Sequence, residues 1–186
     1  MATKLLKKQK KTWFNIVSPQ EFGNCVVGET PVIEPQQLVG RNVQVNLMTM
    51  LNDPKKQNIQ LTFKVKSVRE KNAVTEITKY ELLPSYMKRM MRKGRAKIED
   101  SFTIETKENL KLRIKPVMIT KSKAQKSKLA LVRKTAREFL AERAKTQSVS
   151  ELINDAITTK LQRELRERIK KVYPLVVCEF KAIMII

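Results

Sequence analysis

The sequence predicts an α+β protein: an antiparallel, β-barrel-like body with a short basic helix and an inserted helical unit, closed by a C-terminal strand. Period-two apolar alternation recurs between Val43 and Ile114, and a helical period takes over from Lys121. The final stretch, LVVCEFKAIMII, then returns to strand-forming composition. A chain of 186 residues is long enough to bury one core. The expected organisation is a basic N-terminal arm over 1–12 and a single domain over 13–186. Within that domain, 13–120 reads as β-rich, 121–172 as helical and 173–186 as the closing strand.

The arm, MATKLLKKQKK, holds five lysines and no acid, so it is too polar to fold alone and is expected to order only against an anion. Trp13, Phe14, Ile16 and Val17 offer the first large apolar surface, and Pro19 ends that strand. Gly28, Pro31, Pro35 and Gly40 punctuate the next stretch. Val43, Val45 and Leu47 then alternate with Asn42, Gln44 and Asn46, which is the pattern of a half-buried strand. After the turn NDPKKQN, Leu61, Phe63 and Val65 alternate with Thr62, Lys64 and Lys66. A turn near Lys71 and Asn72, where asparagine tolerates positive φ, sends the chain back antiparallel.

The segment PSYMKRMMRKGRAKIED follows. A short helix over 85–93 puts Tyr86, Met87, Met90 and Met91 on one side, against the body, and spreads Lys88, Arg89, Arg92 and Lys93 over the rest. KIEDSFTIET and NLKLRIKPVMI read as two strands. In the second, Leu110, Leu112 and Ile114 face the core while Lys111, Arg113 and Lys115 face solvent. In the helix that begins at Lys121, Leu129, Val132, Ala136, Phe139 and Leu140 fall at helical spacing. Ser148 stands three before Glu151 and predicts a capping box, with Leu152, Ile153, Ala156 and Ile157 inward. Thr159 with Gln162 predicts a second box, opening a helix with Leu161, Leu165 and Ile169 on one stripe. Tyr173 and Pro174 stop it. The apolar terminal strand is expected to pair within the sheet, because such an edge is sticky when exposed.

Charge dominates the functional reading. The chain carries 39 Lys+Arg against 18 Asp+Glu, a net +21 with a pI near 10.2. Self-repulsion of that size calls for an anionic partner, usually nucleic acid. The excess is local: five lysines in the arm, six acid-free bases over 88–97, and nine bases against Glu138 and Glu142 over 121–145 hold 18 of the net +21. From these segments the candidate RNA-binding residues are Lys4, Lys7, Lys8, Lys10 and Lys11, then Lys88, Arg89, Arg92, Lys93, Arg95 and Lys97, then Lys121, Lys123, Lys126, Lys128, Arg133, Lys134 and Arg137. Phosphate contacts of this kind position a protein on RNA without reading bases.

Other chemistry is poorly supplied. There is no histidine, so the usual base near neutral pH and the commonest metal ligand are missing. The four glycines form neither a P-loop nor GxGxxG. Glu99 and Asp100, the only adjacent acidic pair, read as ion-pair partners of the preceding bases rather than as a metal site. No catalytic residue, metal or cofactor is expected. Cys25 and Cys178 lie outside any CxxC and are expected to be buried free thiols. No apolar run suits a bilayer or a signal peptide, so a cytosolic or nuclear protein is expected, with no membrane partner. A basic amphipathic helix also suits a membrane surface or a calmodulin-type groove, but about two turns before Gly94 are too short for either. Trp13, Phe14, Phe63, Phe102 and Phe139 fall at positions to bury, which leaves Tyr80 and Tyr86 for base stacking. The charge alone permits both a component of a ribonucleoprotein and a free-standing RNA chaperone or translational regulator.

The segments KKTWFNIVSPQEF, VGET, LVGRNVQVNL, the 84–100 stretch with KGRAKIED, TKENLKLRIKPV, KSKLALVRKTAREFL and ERIKKVYPL occur in this order along the chain. Together they resemble the small-subunit ribosomal protein family shared by archaea and eukaryotes, the S-three-A-e family, also called eukaryotic-type S-one. The resemblance implies a β-barrel-like body with basic extensions, no enzymatic role, and a cytoplasmic place on the platform of the small subunit near the messenger exit. The implied partners are small-subunit ribosomal RNA and neighbouring platform proteins, with messenger RNA and initiation factors as further candidates. By position, the family's basic stretch corresponds to Arg89, Arg92, Lys93, Arg95 and Lys97, and its basic helix to Lys126 through Arg137. Animal members continue into a charged tail where this chain ends in hydrophobic residues, so tail-dependent contacts are not implied.

Overall fold

Two long strands, β4 (Ile59–Arg69) and β5 (Asn72–Leu82), form an antiparallel hairpin on which the rest of the sheet is assembled. The structure is a computed structural model describing residues 10–186. Before the hairpin come β1 (Thr12–Val17), β2 (Val26–Val32), β3 (Asn42–Asn46) and the short helix α1 (Leu47–Leu51). After it come α2 (Pro84–Met90), β6 (Lys97–Glu99), β7 (Phe102–Glu105) and β8 (Lys111–Thr120). Then follow α3 (Lys126–Thr146), α4 (Val149–Ile157), α5 (Lys160–Lys170) and β9 (Leu175–Ile185).

The sheet forks twice. β3 pairs with β4, and the free edge of β5 is divided between β1, parallel along Asn72–Val74, and β9, antiparallel along Lys79–Glu81. β9 then pairs along most of β8, whose outer edge is divided between β7 and β6. β2 pairs outside β1. The expected antiparallel, barrel-like body is therefore an α+β fold with a mixed, unclosed sheet of nine strands among the described residues. β1 on β5 is the parallel pair. β6 and β7 are 3 and 4 residues long and ladder only onto β8, leaving no outer ladder for closure. The expected C-terminal strand is present, but it is central: β9 bridges β5 and β8, and Phe180, Ala182 and Ile183 are buried.

Alternation works as the sequence predicts along β4, where Ile59, Leu61, Phe63 and Val65 are all buried. The main core also takes Tyr80, Leu112, Ile114 and Phe180 from the sheet, with Val132, Ala136, Phe139 and Leu140 of α3 and Leu161, Leu165 and Ile169 of α5. A second, smaller core of Phe14, Ile16, Val32, Leu38, Val65 and Ala73 lies under β1 and β2. Inward Phe14 and Ile16 fix the phase of β1, so Trp13, expected to be buried, points out and is 62% exposed. Leu110 precedes β8 and is likewise exposed, and Cys25 is exposed while Cys178 is buried.

Local signals were met unevenly. The box at Ser148 forms, with Glu151 N–H donating to Ser148 Oγ at 3.3 Å and Ser148 N–H to Glu151 Oε2 at 3.0 Å. The box at Thr159 does not form. α5 starts almost directly after α4, so Thr159 supplies the left-handed turn, φ 62°, where an N-cap needs extended geometry. Gln162 instead donates its Nε2 to Ala156 O at 2.8 Å, at the end of α4. In the hairpin, Glu70 takes the positive φ, 53°, and Asn72 already pairs with Arg69. KIEDSFTIET breaks at Asp100 and Ser101 into β6 and β7, and the helix expected from Lys121 begins at Lys126.

Candidate nucleic-acid interface

Proline at N1 starts α2, and Met87 anchors it in the core while Tyr86 and Met90 are half-buried. Lys88 and Arg89 are exposed. The helix ends sooner than the expected 85–93, because Met91 is extended, at φ −79° and ψ 127°, and is itself exposed. Arg92 and Lys93 therefore lie on a loop, exposed, and Arg95 is half-buried. Gly94, at φ +82°, turns this loop back toward β6, a conformation L side chains rarely adopt.

Distant segments meet where that loop enters the sheet. Ala96 N–H donates to Thr120 Oγ1 at 2.9 Å, and Thr120 N–H to Ala96 O at 3.0 Å. The end of the 88–97 stretch is thus locked to the start of the 121–128 stretch. Thr120 Oγ1 also donates to Ser122 O at 2.7 Å, and Tyr173 OH lies 2.9 Å from Ser122 Oγ and donates to Lys123 O at 3.1 Å. Lys121 N–H donates to Pro174 O at 3.1 Å. These bonds hold Lys121 and Lys123, both exposed, on a pinned loop, with exposed Lys126 and Lys128 in the first turn of α3.

The sequence reading missed the bases of α5. Arg163, Arg166 and Lys170 line a cleft of ≈ 360 Å³ with Glu167, Pro174 and Leu175, where Arg166 Nη2 donates to Leu175 O at 3.2 Å. Their spacing of three and four places them on one helix face, a signal available in KLQRELRERIKK but masked there by the interleaved glutamates.

Of the candidate bases that the structure describes, two are ion-paired. Lys97 Nζ lies 2.6 Å from Glu99 Oε1. Arg137 grips Asp100 with two donors, Nε at 2.6 Å and Nη2 at 2.7 Å, and lies 5.7 Å from the centre of the half-buried Phe102 ring. These bonds from Lys97 and Arg137 hold the Glu99 and Asp100 carboxyls below the usual range. The acidic pair is thus bound in ion pairs, although the partner of Asp100 comes from α3 rather than from the preceding bases. Lys10, Lys11, Lys88, Arg89, Arg92, Lys93, Arg95, Lys121, Lys123, Lys126, Lys128, Arg133 and Lys134 take part in none of the ion pairs among the described residues.

The arm stands apart. Lys4, Lys7 and Lys8 fall outside the described residues, while Lys10 and Lys11 are exposed. β1 runs parallel to β5 with Asn15 opposite Asn72, so the arm meets the body at the turn end of the hairpin. α2 leaves from the other end of β5, roughly 30 Å away at about 3.3 Å per residue. Among the described residues the three basic stretches fall in two places: Lys10 and Lys11 before β1, and a composite of α2, its following loop, the 121–128 stretch and α5.

This surface defines a class, the strongly cationic α+β proteins whose exposed bases outnumber nearby carboxylates. Among the described residues no three His, Cys, Asp or Glu side chains gather as a metal site. Comparison with known proteins narrows the class. The model described as the Ribosomal S3Ae family matches residues 4–186. Relatives named small ribosomal subunit protein eS1 include one from Haloarcula marismortui, 30% identical over 175 residues, which cover 94% of this chain and 82% of the relative. Another, from Nanoarchaeum equitans, is 32% identical over 166 residues, covering 89% and 84%. A third, from Methanobrevibacter smithii, is 32% identical over 167 residues, covering 90% and 86%. The chain belongs to the Ribosomal S3Ae family, a family of structural components rather than enzymes.

Proposed function

We propose that the chain is a structural constituent of the small ribosomal subunit in the cytoplasm, bound to ribosomal RNA by Lys and Arg contacts to phosphate from one RNA-binding domain and its arm. The observation that carries this reading is the joining of the 88–97 and 121–128 stretches at Ala96 and Thr120, which brings Arg92, Lys93, Lys121 and Lys123, all exposed and in none of the ion pairs among the described residues, close together. Folded ribosomal RNA presents phosphates at fixed positions, and such a comb of cations fits them with little base reading. Kinship with proteins named for the small subunit supports the assembly. The finer placement is on the platform near the messenger exit, beside neighbouring platform proteins and within reach of messenger RNA and initiation factors.

Sedimentation of the tagged protein with small subunits through a high-salt gradient tests this reading against a free-standing RNA chaperone or regulator. A constituent stays with the subunit, whereas a chaperone held by charge alone washes away. Replacing Arg89, Arg92, Lys93 and Arg95 with glutamine should leave the fold intact and reduce incorporation. Unchanged incorporation would show that this stretch faces away from the RNA.

A further inference from the structure

One cleft beside the basic surface carries polar groups that phosphate contacts do not use. It lies between β5, α2, α5 and β9, has a volume of ≈ 320 Å³, and is lined by Tyr80, Tyr86, Gln162 and Glu179. That volume is at the low end of the range for small-ligand sites, about 300–1,000 Å³. Tyr80 is fully buried, yet its hydroxyl has no hydrogen-bond partner within the protein. Gln162, 4% exposed, spends its Nε2 on Ala156 O and lies 3.5 Å from Glu179 Oε2, which leaves its Oε1 without a partner. Burial pushes the Glu179 carboxyl up, the mark of an acid with too few donors around it. Buried polar groups left unpaired are costly, so the cleft favours a ligand that brings hydrogen-bond donors to the carboxylate and, once the side chains that close over the Tyr80 hydroxyl part, an acceptor to it.

The rim chooses between ligands that meet this pattern. An arginine side chain from another protein offers donors, but it would enter past Lys55 and Lys56 beside the single rim acid Asp53, and past Arg163 and Arg166 of the adjoining cleft along α5. A nucleotide offers the same donors behind a phosphate that these bases attract. Of the four bases, guanine presents two adjacent donors, N1–H and the 2-amino group, that match both oxygens of a carboxylate, with its O6 left to accept from a hydroxyl. Half-buried Tyr86 supplies an aromatic wall, with the Arg89 guanidinium 5.7 Å from its ring centre.

We infer that the cleft between α2 and α5 holds an unstacked guanine of the bound RNA, with its Watson–Crick edge on Glu179 and its phosphates on the rim lysines and arginines. This rests on the RNA-binding reading above and adds a base-specific contact to it. The test is fluorescence anisotropy of the full chain with labelled single-stranded pentamers, UUGUU, UUAUU, UUUUU and UUIUU, the last carrying inosine, which lacks the 2-amino donor.

The expected result is roughly tenfold tighter binding of UUGUU than of the other three. Glu179→Gln, which keeps shape and removes the carboxylate, should erase that preference, bringing UUGUU to the affinity that the same variant shows for UUUUU. Tyr80→Phe should reduce the preference. Equal binding of all four pentamers, or a preference that survives Glu179→Gln, would overturn the guanine site and leave phosphate binding standing. No binding of any pentamer would overturn the guanine site, while binding of a folded small-subunit ribosomal RNA fragment, measured alongside, decides the RNA-binding reading by itself. Glu179-dependent binding of N-acetyl-arginine amide in place of guanine would assign the cleft to a protein side chain and overturn the inference.

Discussion

Arg137 and the bases around α2 look alike in sequence but should behave differently when removed. Both of the Arg137 donors are committed to Asp100, whose side chain is 10% exposed, whereas Arg89, Arg92, Lys93 and Arg95 take part in none of the ion pairs among the described residues. Each neutralised phosphate contributes roughly 0.7 to 0.9 to the slope of log K against log salt. Replacing all four bases, of which Arg89 also donates to Asn58 Oδ1 at 3.1 Å, with glutamine should therefore flatten that slope by about 3. Between about 50 and 200 mM salt, a fourfold change, the variant should lose roughly sixty-fold less affinity than the parent. Arg137→Gln should leave the slope unchanged and lower the thermal midpoint, because it strands a carboxylate that then keeps only the Ser101 N–H at 2.9 Å. Filter binding of a small-subunit ribosomal RNA fragment across a salt series, with calorimetry of the free proteins, reads both quantities. A slope that drops by about 1 for Arg137→Gln, or not at all for the quadruple variant, would refute the division of roles.

Other consequences concern stability and reactivity. Ser148→Ala removes the closed capping box of α4 and should cost about 1 kcal/mol in urea unfolding. Thr159→Gly relieves a β-branched residue at φ 62° and should stabilise by about 1 kcal/mol in the same assay. The depressed Asp100 and Glu99 carboxyls contribute stability that is present above their unfolded-state values and lost as pH falls through their lowered native ones. Glu179 acts with the opposite sign: its raised native value means stability is lost as pH climbs through it, so Glu179→Gln should be more stable than the parent near neutral pH and equal to it in acid. In native alkylation Cys25 should react, while Cys178, buried and with its thiol pushed up to about 12, should react only on unfolding.

What was legible in the sequence was mostly local. Alternation marked β4 and the first half of β8, the Ser148–Glu151 spacing marked a helix start, and the run LVVCEFKAIMII marked a strand. The placement of that strand between β5 and β8 depends on pairings with residues up to 105 positions away, which no local pattern encodes. The same holds for Asp100 with Arg137, 37 residues apart, and for Ala96 with Thr120, 24 apart. Charge counting located the basic stretches but could not separate the bound arginine from the free ones. Tyr80 seemed available for stacking because its strand's register was unknown; it is wholly buried. The Thr159 box failed for a different reason, since a tight turn between helices outweighed a favourable cap residue.

The central claim is that the bases after α2 and those before and within the start of α3 form one RNA-facing surface, with the arm at a second location. Crosslinking the protein to RNA in intact small subunits, with attachment sites mapped on both molecules, tests it most directly. The expected result is that peptides carrying Arg92 or Lys93 and peptides carrying Lys121 or Lys123 attach to the same short region of ribosomal RNA, while Lys10 and Lys11 attach elsewhere. Attachments confined to the arm, or joining the 88–97 and 121–128 stretches to well-separated RNA regions, would contradict the account.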